Sequence, residues 1–73
     1  MDLSGNPALV EVTLNSNRLH TLILDGCTSL AELYVDDNQL TALDVDSCTN
    51  LDYLTIDNNP LTELDITSNE KLR

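Results

Sequence analysis

Cys27, Cys48 and His20 are the side chains that could serve as nucleophile, base or transition-metal ligand. Thirteen carboxylates could act as acids or hold hard cations. Their spacing argues against most of that chemistry. A nucleophilic thiol or hydroxyl needs a base oriented on it, and no serine or cysteine falls in register with His20. Zinc would need more ligands than these. The carboxylates recur in columns at a period of twenty-one residues: Asp36 with Asp57, beneath Asn15; Asp25 with Asp46; and Asp44 with Asp65 and Asp2, interrupted by Ile23. Acid–base catalysis wants one pair of carboxylates in unlike environments, and these form a series. A row of oxygen donors could take Ca²⁺. Neither the D-x-D-x-D-G loop nor the glycine-rich nonapeptide of calcium-binding solenoids is present, however. The reading is an acidic surface that serves solubility, with structural calcium as the alternative. It includes no catalytic residue, no cofactor and no metal ligand.

The net charge of −10 repels nucleic acid and anionic membranes, and Arg18, Lys71 and Arg73 form no basic cluster. No stretch approaches the ~18 apolar residues of a membrane span. High acidity can signal disorder, but 41% of the residues are hydrophobic and they stand in strict columns.

Those columns share the period of the carboxylates. Leu9, Leu30, Leu51 and Leu72 form one; Val12, Leu33 and Leu54 the next; then Leu14, Val35 and Ile56, and Leu19, Leu40 and Leu61. Leu22, Leu43 and Leu64 follow, then Leu24, Val45 and Ile66. Every member is a branched aliphatic. A fixed period of this length signals units that cannot bury their own apolar face and must stack on the next. Each unit splits into two similar halves, L-x-x-L-x-V-x-x-N-x over 30–39 and L-x-x-L-x-V-x-x-C-x-x over 40–50. Each half holds an alternating apolar pair, as in a short strand with one face inward, followed by a polar corner rich in turn formers.

The pattern resembles the leucine-rich repeat family, whose signature is L-x-x-L-x-L-x-x-N/C-x-L. It stands here as Leu9-Val12-Leu14-Asn17-Leu19, Leu30-Leu33-Val35-Asn38-Leu40 and Leu51-Leu54-Ile56-Asn59-Leu61. The second half repeats the half-motif where a helix could stand, which is similar to the short, nested bacterial class, many of whose members are secreted or surface-attached. The resemblance implies a right-handed solenoid with parallel strands on two sides, mostly strand and loop with little or no helix. It also implies a binding role and an extracellular or cell-surface location.

The expected organisation is one solenoid segment. A half-coil at 1–8 precedes coils at 9–29, 30–50 and 51–71, and 72–73 open a further one. Residues 1–8 lack the basic start and apolar run of a leader, and the chain reads as a piece cut from a longer array. Three coils are about the minimum for a stable stack, and no polar cap is visible at either end. Open strand edges template pairing with other chains, so end-to-end self-association is expected at high concentration.

Asn17, Asn38 and Asn59 fall at the corner after the first strand. In the family such an asparagine resembles a ladder residue whose amide ties backbone groups between coils. Cys27 and Cys48 take the equivalent place in the second half. Buried free thiols are expected there, because stacked side chains pointing one way rarely reach the disulfide dihedral, although the spacing itself is permissive. His20 reads as a surface residue. Two outward faces remain. The first carries Glu11, Thr13, Glu32, Tyr34, Tyr53 and Thr55; the second carries Thr21, Ile23, Ala42, Asp44, Glu63 and Asp65. Both tyrosines lie on the first face, placed to touch diagonally, where they form a recognition patch or simply shield the strands. The leading functional expectation is a non-catalytic scaffold that binds an unidentified protein through this face. A structural spacer in a surface or adhesin protein is the runner-up. Glycan binding follows, thinly supported without tryptophan or phenylalanine, and ice binding is weaker because Tyr34 breaks the Thr13–Thr55 rank.

Overall fold

A computed structural model describes residues 1–72. It contains three short strands, β1 (Glu11–Thr13), β2 (Glu32–Tyr34) and β3 (Tyr53–Thr55), and the described residues include no helix. The strands form one parallel sheet in the order β1-β2-β3. Glu11 pairs with Glu32 and Glu32 with Tyr53; Val12, Leu33 and Leu54 make the next row, and Thr13, Tyr34 and Thr55 the third. The ladder therefore steps by one sequence repeat per strand. The rest of each repeat is loop, and it returns the chain to the start of the next parallel strand where a helix commonly does so.

Each strand ends at a corner with left-handed backbone. Ser16, Asp37 and Asn58 have φ of 60°, 59° and 60°, a conformation that costs an L-residue about 1–2 kcal/mol. Bonds between repeats hold two of them there: the Ser16 N–H donates to Asp36 O at 2.9 Å and the Asp37 N–H to Asp57 O at 2.8 Å.

The core gathers the apolar columns between the two sides of each repeat. Cys27, Leu30, Leu33, Val35, Leu40, Val45, Cys48 and Leu51 are fully buried, with Leu22, Leu24, Val12 and Leu43 nearly so. Leu9, Leu14 and Leu19 before them, and Leu54, Ile56, Leu61 and Leu64 after them, are only partly covered. The columns are dry throughout the middle repeat, and also on the second side of the first repeat, over which residues 1–8 lie; Leu14 and Leu19 in the first repeat and Leu54, Ile56, Leu61 and Leu64 in the third are half-wet. The Cα extents are 25 × 21 × 15 Å, and the shortest matches four layers spaced by ~4.8 Å.

One expectation needs correction. Strands were expected on two sides, and the structure has them on one. Among the described residues the second side carries a single isolated parallel bridge, Asp2 with Ile23. There the Leu3 N–H donates to Ile23 O and the Ile23 N–H to Met1 O, both at 2.9 Å. The bridge leads into stacked glycine corners, Gly5 at φ 72° and Gly26 at φ 81°, and a Cβ on Gly26 would stand 3.4 Å from Gly5 N. The corners above carry Ser47 and Ser68, which are not left-handed. Beside them, Asp44 accepts the Asp46 N–H at 3.0 Å and Asp65 accepts the Thr67 N–H at 2.9 Å. Asp2 closes the same turn on the Ser4 N–H at 2.9 Å, so the Asx turn recurs beside the bridge as well as away from it, and what differs between these corners is the left-handed glycine.

Candidate interaction face

Alternation along each three-residue strand turns its middle residue inward and its flanks outward. The six outward positions of the sheet are Glu11, Thr13, Glu32, Tyr34, Tyr53 and Thr55. Parallel register sets Glu11, Glu32 and Tyr53 in one row and Thr13, Tyr34 and Thr55 in the other. Tyr34 and Tyr53 are diagonal neighbours. Their ring centroids lie 5.5 Å apart with planes tilted by 41°, within the range of favourable aromatic pairs. The Tyr34 hydroxyl donates to Glu32 Oε1 at 2.6 Å. That bond to a carboxylate, with burial and the charges of Glu32 and Glu11 behind it, pushes the Tyr34 phenol up to about 12. Tyr53 stays 48% exposed. The result is an aromatic pair with one immobilised hydroxyl, set beside carboxylates. The Thr55 hydroxyl, at the edge of this face, is buried without a hydrogen-bond partner.

The asparagine column divides according to its neighbours. Asn38 is buried; its Nδ2 donates to Leu14 O and Val35 O, each at 2.9 Å, and its Oδ1 accepts the Leu19 N–H at 3.2 Å. Asn59 repeats this one layer on, with Val35 O at 2.8 Å and the Leu40 N–H at 3.1 Å. Asn17 is exposed and bonds only Leu14 O and Asn15 O of its own repeat. The carbonyls of Leu14 and Val35 therefore each accept two amides, which ties one repeat to the next. Asn69 does the same on the second side, donating to Val45 O and Cys48 O at 3.0 and 2.8 Å, while its buried Oδ1 has no partner.

Cys27 and Cys48 are buried free thiols. Cys27 Sγ donates to Leu3 O at 3.2 Å, and burial, with Cys27 nearby, pushes the Cys48 thiol up to about 11. His20 is exposed on a bend. No group of three His, Cys, Asp or Glu side chains among the described residues could hold a metal ion. A groove of about 600 Å³ runs between the second and third repeats on the second side, floored by Leu43, Leu64 and Ile66.

The acidic columns hold a role that sequence reasoning missed. Asn15 Oδ1 accepts the Asp36 N–H, Asp36 Oδ1 accepts the Asp57 N–H, and Asp37 Oδ1 accepts Asn58 Nδ2, each at 2.7 Å. These side chains relay a hydrogen bond from layer to layer. The asparagine at the head of the Asp36–Asp57 column was the available signal, because it shares their acceptor geometry and not their charge.

The chain matches no family model, no curated protein and no solved structure.

Proposed function

We propose that the chain is a right-handed leucine-rich-repeat solenoid segment of the nested bacterial type. In this reading it is a non-catalytic protein-interaction scaffold that works at the cell surface through the outward face of β1–β3. The period of the apolar columns and the one-repeat step of the strand register support the architecture. The observation that carries the function is the Tyr34–Tyr53 pair beside Glu32. It offers rigid amphipathic area on a flat sheet, with little side-chain entropy left to lose on binding. The carboxylates of Glu11 and Glu32 favour a partner that brings Lys or Arg to the rings.

A second reading has its own support. The Tyr34 hydroxyl is already bonded and the rings already cover each other, as in a spacer whose surface is complete without a ligand. One experiment separates the two. Peptides are selected from a random display library on the immobilised protein and then measured against Tyr34→Ser/Tyr53→Ser. Basic or Arg-bearing peptides that lose affinity for the double variant support the scaffold. Selection without enrichment, or peptides indifferent to the change, leaves the spacer.

A further inference from the structure

The second side carries one corner in four versions, at residues 2–6, 23–27, 44–48 and 65–69. Three begin with an aspartate whose carboxylate holds the backbone two residues on. Asp2 accepts the Ser4 N–H at 2.9 Å, Asp44 the Asp46 N–H at 3.0 Å and Asp65 the Thr67 N–H at 2.9 Å. The corner at 23–27 begins with Ile23, which has no oxygen to offer. The Asp25 N–H is therefore left without an acceptor among the described residues.

The Gly26 N–H is unbonded as well. One repeat earlier, the Gly5 N–H donates to Asp25 O at 2.9 Å. Gly26 makes no such bond to Asp46, and the second-side pairing among the described residues goes no further than the Asp2–Ile23 bridge. Asp25 lies in an interior layer, between Ser4 and Asp46 of its column, and stays exposed there. Its carboxylate makes no hydrogen bond among the described residues.

We propose that Asp25 is a site of spontaneous isomerisation to isoaspartate, with the unbonded Gly26 nitrogen as the nucleophile. That nitrogen attacks Asp25 Cγ. The N–Cγ bond forms, the Cγ–OH bond breaks, and the amide proton leaves with the hydroxyl as water. Water then adds to the resulting five-membered imide at the former main-chain carbonyl carbon of Asp25. The ring opens between that carbon and the nitrogen, and the chain now runs through Cβ and Cγ. The reaction needs no oxidant, metal or enzyme, and the mass returns to its starting value.

Three features select this residue. Ring closure brings a side-chain carbon onto the next backbone nitrogen, an approach that glycine leaves open. Of the aspartates and asparagines in the chain, only Asp25 precedes glycine. A nitrogen already held in a hydrogen bond resists turning towards the carboxyl. Such bonds guard Asn15 and Asp36, because the Ser16 N–H behind the first donates to Asp36 O at 2.9 Å and the Asp37 N–H behind the second to Asp57 O at 2.8 Å. Finally, the missing Asx turn leaves the Asp25 backbone freer to rotate than its counterparts.

The product has one more methylene in its main chain. It also turns the Asp25 carbonyl, which accepts the Gly5 N–H, into a free carboxylate. Conversion therefore loosens the contact between residues 1–8 and the first repeat.

The folded 73-residue chain tests this when aged at body temperature in mildly acidic and neutral buffer. Digestion uses an endoprotease that cuts before aspartate but not before isoaspartate. The cut before Asp25 should be lost with time at unchanged intact mass, while those before Asp36, Asp46 and Asp57 persist. Asp25→Glu, an exposed change that would need a six-membered ring, should abolish the isoaspartate counted by isoaspartyl methyltransferase. Ile23→Asn leaves the Asp-Gly pair untouched and restores an acceptor for the Asp25 N–H. It should slow conversion several-fold in the folded chain and match the parent in urea. A cut before Asp25 that persists overturns the proposal. So does isoaspartate that arises equally at the other aspartates or survives Asp25→Glu, or a folded Ile23→Asn chain that converts as fast as the parent.

Discussion

Asn38→Ala is the sharpest test of how the repeats are held together. The alanine removes four hydrogen-bond contacts from the middle of the stack, including a weaker one to Asp36 O at 3.2 Å. The losses are not equal. Leu14 O keeps the amide of Asn17 at 2.8 Å and Val35 O keeps that of Asn59 at 2.8 Å, so neither carbonyl is orphaned. The Leu19 N–H loses its acceptor. An orphaned, partly buried N–H costs about 1–3 kcal/mol and each of the two good carbonyl bonds about 0.5–1. The total is about 3 kcal/mol, against about 4–11 kcal/mol for a whole chain of this length. Asn59→Ala loses a similar set in a half-open layer and should cost about 2 kcal/mol. Asn17→Ala loses only exposed bonds within its own repeat and should cost under about 1 kcal/mol. Urea titrations followed by circular dichroism would rank them. With a slope of about 1 kcal/mol/M for a chain this small, the Asn38→Ala midpoint falls by about 3 M. Equal shifts for Asn38→Ala and Asn17→Ala would refute the cross-repeat argument, as would an Asn38→Ala cost under about 1 kcal/mol.

Three further expectations are open to measurement. With a pKa of about 11, Cys48 is roughly 0.1% thiolate at pH 8, so a thiol reagent should leave it unmodified in the folded chain and label it in denaturant; a disulfide mass would contradict this. Tyr34 is raised from the ordinary 10 to about 12, so its contribution to stability is whole below pH 10 and is lost as pH rises from 10 towards 12. In a Tyr53→Ser background, Glu32→Gln should bring the absorbance titration of Tyr34 down towards 10, and an unmoved curve would remove the Glu32 contact as its cause. The Thr67 N–H, then its hydroxyl, hold the Asp65 carboxyl below its ordinary value, so its contribution is present at neutral pH and lost as acid protonates the folded form. Asp65→Ala should therefore flatten the acid limb of the stability profile, and an unchanged limb would contradict the Asx turn.

The repeat was legible because branched aliphatics recur at one spacing, and stacking such units forces equivalent positions into register. The strand centres Val12, Leu33 and Leu54, their pairing and the outward set of six residues all follow from that periodicity. The two halves of each repeat carry nearly the same pattern, so the pattern could not say which half would form the sheet. That outcome rests on the corners. Glycines at 5 and 26 are left-handed and accompany the bridge on the second side, while Ser47 and Ser68 at the equivalent corners are not left-handed; the Asx turn does not discriminate, since Asp2, Asp44 and Asp65 all make it.

Composition counted the acids as a repulsive surface, yet Asp36 and Asp37 accept hydrogen bonds from the next layer. That use depends on a backbone N–H or amide arriving from another repeat, which no single window of sequence contains. Asn17, Asn38 and Asn59 are one residue type in one column with unlike surroundings, because a ladder residue is worth what lies above and below it. By itself the sequence determined period, register and the inward and outward sets, since these depend only on residue type and spacing. The tertiary structure alone decided which half pairs and which asparagine is sandwiched, because those depend on contacts between layers.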